Sequence, residues 1–173
     1  MPQRYIIISG DKIVQKPIGF PKFLSNLSGS IIQNITSIII YPTNMINLKT
    51  VHHIAIICKD YEVSKQFYTE ILGLTIIKET YRAERNSYKL DLALNGTYII
   101  ELFSFPNPPM RPSQPESTGL RHLAFSVTDI EASIEALSLN KVQCEPIRVD
   151  TLTNKRFTFF SDPDGLPLEL YEG

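Results

Sequence analysis

Short apolar runs broken by turn residues pattern this chain, and two of them enclose a histidine: Val51-His52-His53-Ile54-Ala55 and Leu120-Arg121-His122-Leu123-Ala124. After the first, Val63, Phe67 and Ile71 recur at helical spacing together with Tyr68 and Leu72. They predict an amphipathic helix, with Asp60 and Ser64 as candidate N-caps and Gly73 as its C′ residue. Leu74 to Thr80, Ser87 to Leu94 and Tyr98 to Phe103 read as strands, the last two joined by an Asn95-Gly96 hairpin turn. After the second run, His122 to Val127 reads as a strand. Thr128-x-x-Glu131 then reads as a capping box, and Ile130, Ile134 and Leu137 mark the buried face of the helix it opens. Val142 to Val149, Arg156 to Phe160 and Leu168 to Tyr171 follow as strands, with a turn at Asp162-Pro163-Asp164-Gly165. The order β-α-β-β-β therefore occurs twice.

The repeat is also one of chemistry. His53 and His122 are 69 positions apart, as are Asn95-Gly96 and Asp164-Gly165, while Glu101 and Glu169 are 68 apart. Matched spacing across histidine, helix, hairpin and glutamate marks a duplicated unit. Modules 48–104 and 119–173 make up the functional domain, 48–173. They are joined by a linker, 105–118, whose Pro106, Pro108, Pro109, Pro112 and Pro115 exclude a helix interior or central strand. Its place directly after the Glu101 strand also makes it a candidate flap. Residues 1–47 differ in texture and are expected to be an extension, accessory to the domain or the product of an over-long start assignment. A bound pair of N-terminal strands is the competing reading.

Composition narrows the function classes. A 43% hydrophobic, 10% aromatic chain of 173 residues is globular, and a net charge of −1 gives no footprint for nucleic acid. No apolar span is long enough for a transmembrane helix, and Lys12, Lys16 and Lys22 interrupt any secretory apolar region. Cys58 and Cys144, far apart and outside any Cys-x-x-Cys pattern, suit a reducing compartment, so the expected location is the cytoplasm.

An ionisable side chain inside a strand-like apolar run needs a partner. Strand alternation puts His53, Ala55 and Ile57 on one face and His122, Ala124 and Ser126 on the matching face, with His52 and Arg121 opposite. If the two sheets curl and pair about a pseudo-twofold axis, His53, Glu101, His122 and Glu169 converge. Two imidazoles and two carboxylates then bind a divalent ion with a ligand charge of −2, and Zn, Ni, Co or Mn all suit that set. Arg82, Arg85, Lys155 and Arg156 could hold an anionic substrate, although each also fits a solvated surface charge.

Val51 to Glu172 resembles the vicinal oxygen chelate superfamily of glyoxalase I, fosfomycin resistance enzymes, extradiol dioxygenases and bleomycin resistance proteins. The motifs are His-x-Ala near the start of each half, Phe67-Tyr68 to Leu72-Gly73-Leu74, and Asp162-Pro163-Asp164-Gly165 leading to Glu169-Leu170. The resemblance implies an α+β fold of two tandem βαβββ modules forming curled sheets around a metal site. A four-ligand set of His53, Glu101, His122 and Glu169 looks most like glyoxalase I. It implies a metal-dependent lyase or isomerase acting on a small oxygenated substrate through an enediolate-type intermediate, with Glu169, or else Glu101, as general base, and a homodimer sharing the site. Two alternatives stand beside it: a fosfomycin-type epoxide-opening transferase or hydrolase, and a non-catalytic binder of small molecules. The chain departs from glyoxalase I at Ile57 and Phe105, where glutathione contacts are expected, and from the fosfomycin enzymes at Phe159, where a tyrosine is common.

Overall fold

The computed structural model describes residues 4–9, 12–17, 37–39, 46–113 and 115–173. The chain divides into two units, Met1–Thr50 and Val51–Gly173. In the first, β1 (Arg4–Ser9) pairs antiparallel with β2 (Lys12–Pro17) and with β3 (Ser37–Ile39), giving the order β2-β1-β3.

The second unit holds both modules. In the first module β4 (Ile54–Cys58) leads into α1 (Tyr61–Gln66), which Asp60 caps by accepting from the Val63 N–H at 3.2 Å. The helix does not run on as a regular α-helix. It widens into a π-turn over Phe67–Ile71, and the chain leaves through Gly73 at φ +74°, a left-handed exit that a side chain would strain. Three strands follow: β5 (Thr75–Arg82), β6 (Ser87–Leu94) and β7 (Thr97–Ser104). Asn95 and Gly96 both take positive φ, the conformation that a two-residue hairpin turn matching strand twist demands. The sheet order is β4-β7-β6-β5, with β4 parallel to β7.

The second module repeats the plan with β8 (Leu123–Val127), α2 (Ile130–Leu139), β9 (Arg148–Val149), β10 (Arg156–Ser161) and β11 (Pro167–Glu172) in the order β8-β11-β10-β9, with β8 parallel to β11. Two sequence expectations are corrected here. The cap of α2 is Asp129, which accepts from the Ala132 N–H at 2.9 Å, and not Thr128. The strand expected over Val142 to Val149 shrinks to Arg148–Val149, because Pro146 has no N–H to give a ladder.

Each curled sheet is α+β in the plainest sense, one face on the core and the other open. Leu90, Leu92, Ile100, Leu102 and Leu168 lose all solvent exposure on the core side, as does Ile130 of α2, whereas alternate positions on those strands, Asp91, Glu101 and Glu169 among them, carry polar groups. The modules are locked through the turn after β10: Tyr68 donates to buried Asp162 at 2.8 Å, and Asp164 accepts from the Lys59 N–H and the Ser64 hydroxyl. The described residues of the proline-rich linker form no helix or strand, and Ser113 ties it down by donating to the Gly165 carbonyl at 3.1 Å. No helix among the described residues is long and apolar enough to cross a membrane.

Candidate metal centre

Both histidines stand one residue ahead of their strands, β4 and β8, where the backbone enters the parallel pairing with the glutamate strand. That register sets Ala55 opposite Glu101 and Ala124 opposite Glu169, so each glutamate shares its face with the histidine two residues before the alanine. The structure thereby brings His53 Nε2 to 3.1 Å from Glu101 Oε2, and His122 Nε2 to 3.0 Å from Glu169 Oε2. Within one chain the pairs remain on separate sheets, and no group of three or more histidine, cysteine or acidic side chains gathers among the described residues.

These spacings suit ion binding. Two donors each about 2.1 Å from one ion, at a right angle, lie about 3.0 Å apart. With the imidazole protonated at Nε2 the same spacing is a hydrogen bond, so each pair is also satisfied without an ion. His122 Nδ1 is different: it is buried and has no hydrogen-bond partner among the described residues, a polar atom that a group from outside the chain would satisfy. Glu169 is itself only 8% exposed, an unusual place for a carboxylate without a cation.

The two pairs have different neighbours. In the first, Glu101 Oε1 accepts from Lys89 Nζ at 2.6 Å and from the Tyr98 hydroxyl at 2.6 Å, and Lys89 also pairs with Asp91 at 2.5 Å. Burial raises the Glu101 pKa, but the hydrogen bonds from Lys89 and Tyr98 outweigh it and hold the carboxyl below the usual range. In the second, the residue facing Glu169 across the strands is Phe159, and no side chain other than His122 engages the carboxylate among the described residues. The His122 ring packs edge-on against Phe159 at 5.2 Å. A cavity of about 1220 Å³ opens there, lined by His122, Phe157, Phe159, Glu169 and Tyr171 and by linker residues Arg111 and Ser113.

Sequence reasoning missed Lys89, Asp91 and Tyr98, and it assigned His52 to the outer face. His52 stands two residues ahead of β4, and its ring meets that of His53 edge-on at 5.1 Å. Its Nδ1 lies 2.8 Å from His53 Nδ1, and Tyr98 packs against both rings. Of the basic residues expected to hold an anion, Arg156 is tied into ion pairs with Glu131 and Glu172, and Arg82 lies against Phe103 and Phe105. Burial, reinforced by Asp164, pushes the Cys58 thiol up to about 12, and burial raises Cys144, so neither is held as a thiolate at neutral pH.

Residues 50–170 match the model of the Glyoxalase/Bleomycin resistance protein/Dioxygenase superfamily. The chain is similar to the uncharacterized protein YaeR of Escherichia coli (strain K12), 67% identical over 128 residues that span 74% of this chain and 99% of YaeR. It is 29% identical over 129 residues to the metallothiol transferase FosB of Staphylococcus epidermidis, spanning 73% of this chain and 83% of FosB. Among solved structures, the glyoxalase family protein from Enterococcus faecalis aligns with a TM-score of 0.67 at 49% identity, covering 72% of this chain and 98% of that one.

Proposed function

The chain belongs to the Glyoxalase/Bleomycin resistance protein/Dioxygenase superfamily, and on that premise we propose that it is a divalent-metal-dependent lyase or isomerase acting on a small oxygenated molecule. The observation that carries the reading is the pair of His–Glu contacts, 3.1 and 3.0 Å, at equivalent places on the duplicated sheets. The pairs stay apart within one chain, so a four-donor centre takes His53 and Glu101 from one copy and His122 and Glu169 from a second, in a homodimer with the open sheet faces together. Zn, Ni, Co and Mn all suit two imidazoles and two carboxylates. When bound, the ion polarises two neighbouring substrate oxygens as a Lewis acid.

The protein's own residues divide the remaining work. Glu101, gripped by Lys89 and Tyr98, is the ligand that stays. Glu169 faces Phe159 with no second donor, so it is free to turn from the centre and take a proton from the substrate carbon. Phe159, opposite Glu169 on β10, gives that side of the site an apolar wall. With Ile57 and Phe105 where glutathione contacts are expected, glutathione is not the substrate handle. Similarity to a metallothiol transferase keeps one further reading in play, an epoxide-opening reaction at the same centre.

Metal analysis of purified protein, followed by turnover assays with the hemithioacetal of methylglyoxal and with fosfomycin plus thiols, tests the proposal. The expected result is one ion per paired set of four ligands, lost in H53A and H122A. Glu169→Gln is expected to abolish turnover while retaining part of the ion. Full activity in that variant refutes the role of Glu169, and wild-type protein that takes up no ion refutes the whole reading.

A further inference from the structure

On the face of the first sheet that carries His53 and Glu101, the Arg82 guanidinium has no counter-charge among the described residues. Phe103 follows Glu101 by two residues on β7 and so shares its face, about 6.6 Å along the strand. The Arg82 guanidinium lies over the Phe103 ring, 4.8 Å from its centroid, and over Phe105 at 5.5 Å. Its Nε and Nη2 both donate to the hydroxyl of Ser87, at 3.2 and 2.7 Å, and Ser87 is fully buried. Two rings and a buried hydroxyl fix the guanidinium in place. No carboxylate among the described residues forms an ion pair with it. Lys89, the neighbouring cation, is neutralised by Asp91 and Glu101.

Its seat, and not its charge alone, sets Arg82 apart from other cations without a carboxylate partner among the described residues, such as Lys78 opposite Asp91 and Arg111 of the linker. A divalent ion offsets Glu101 and Glu169, Lys89 offsets Asp91, and Arg148 on the second sheet is paired with Glu145 at 2.8 Å. Among the described residues Arg82 keeps its positive charge unpaired over the rings of Phe103 and Phe105, on the sheet face that carries Glu101. Fixed guanidinium forks of this kind recognise carboxylates and phosphates through paired N–H donors.

We infer that Arg82, braced by Ser87, Phe103 and Phe105, is the substrate-recognition residue of this site and that the substrate carries an anionic group, a carboxylate or a phosphate, beside its paired oxygens. The inference rests on the metal-centre reading above and deepens it by naming the substrate class. It also accounts for Phe105: the aromatic ring that displaces a glutathione contact helps to hold the guanidinium.

Three probes share one hydroxyketone and differ in charge: dihydroxyacetone, dihydroxyacetone phosphate and 5-hydroxylevulinate. Each is titrated calorimetrically into the full chain loaded with Mn(II), with bound metal measured alongside. At least one anionic probe is expected to bind about tenfold or more tightly than dihydroxyacetone. R82M and R82Q are expected to erase that difference and R82K to keep part of it, with metal content and dihydroxyacetone affinity unchanged throughout. Discrimination must follow charge across the series whatever the melting temperatures of the variants. Equal binding of neutral and anionic probes by metal-loaded wild type, or discrimination that survives in R82M, overturns the inference and leaves the metal centre standing. If the chain takes up no ion, the metal reading fails, and inorganic phosphate titrated into metal-free protein decides the anion site: binding by wild type and R82K but not R82M supports it, and no binding by wild type overturns it.

Discussion

The ammonium of Lys89 stands 2.6 Å from Glu101 and bridges it to Asp91, and with the Tyr98 hydroxyl it holds this carboxyl below its usual range against the effect of burial. A carboxyl whose folded pKa is depressed contributes stability above its unfolded pKa and loses it as pH falls through the folded value. Removing the cation in K89M raises the Glu101 pKa. Ion release on acidification is then expected at higher pH than in wild type, with about 10- to 100-fold weaker ion binding at neutral pH in a chelator competition assay. Unchanged affinity and an unchanged release curve would show that Lys89 does not hold the ligand.

A centre divided between copies predicts complementation. H53A/E101A and H122A/E169A each lack one pair, so neither binds an ion alone. Mixed and refolded together, they are expected to form hetero-pairs with one intact set of four ligands out of two; with half of the pairs mixed by chance, about a quarter of the metal of wild type is recovered. No recovery in the mixture, with both variants folded, refutes assembly across copies.

The buried tie between modules gives a stability prediction. Asp162 has its pKa raised by burial, against hydrogen bonds from the Leu166 N–H and Tyr68 that lower it. Its stabilising contribution is present below the unfolded pKa and is lost as pH rises through the folded value. D162N is therefore expected to flatten the fall in stability with rising pH, read by urea unfolding across the acid range. Y68F, which strips a 2.8 Å hydrogen bond from the same carboxyl, is expected to cost roughly 1.5–3 kcal/mol.

Residues 1–47 lie wholly within the unit Met1–Thr50, and the superfamily match begins only at residue 50. Truncation to residues 48–173 is expected to leave ion content and the D162N and Y68F effects as they are in the full chain. A truncated chain that fails to fold would make the first unit part of the domain.

Much of this was readable because duplication repeats its spacing. Histidines 69 apart and glutamates 68 apart announce a shared position on two sheets, and strand alternation then sends each pair to one face. The clamp on Glu101 was hidden by a single irregularity. An unbroken hairpin from Leu94 against Thr97 would set Asp91 opposite Ile100, but a bulge between Leu92 and Ala93 shifts the ladder and sets Asp91 opposite Glu101 and Lys89 opposite Phe103. Nothing in the local sequence marks that step. The π-turn at Phe67–Ile71 was equally invisible, because the i, i+4 stripe that predicts a helix serves either winding. Arg82 was noticed but could not be separated from Arg156, since only packing tells a charge seated on two rings from one tied into exposed ion pairs.

The duplicated halves have diverged past interchange. A chimera built from two copies of the first half would present two tethered acids, well suited to retaining a cation and with nothing loose enough to shuttle protons. One built from two copies of the second half would offer two restless acids in greasy surroundings and no anchor at all. On the roles proposed for Glu101 and Glu169, a gene shortened to a single symmetrical repeat would surrender either grip or turnover.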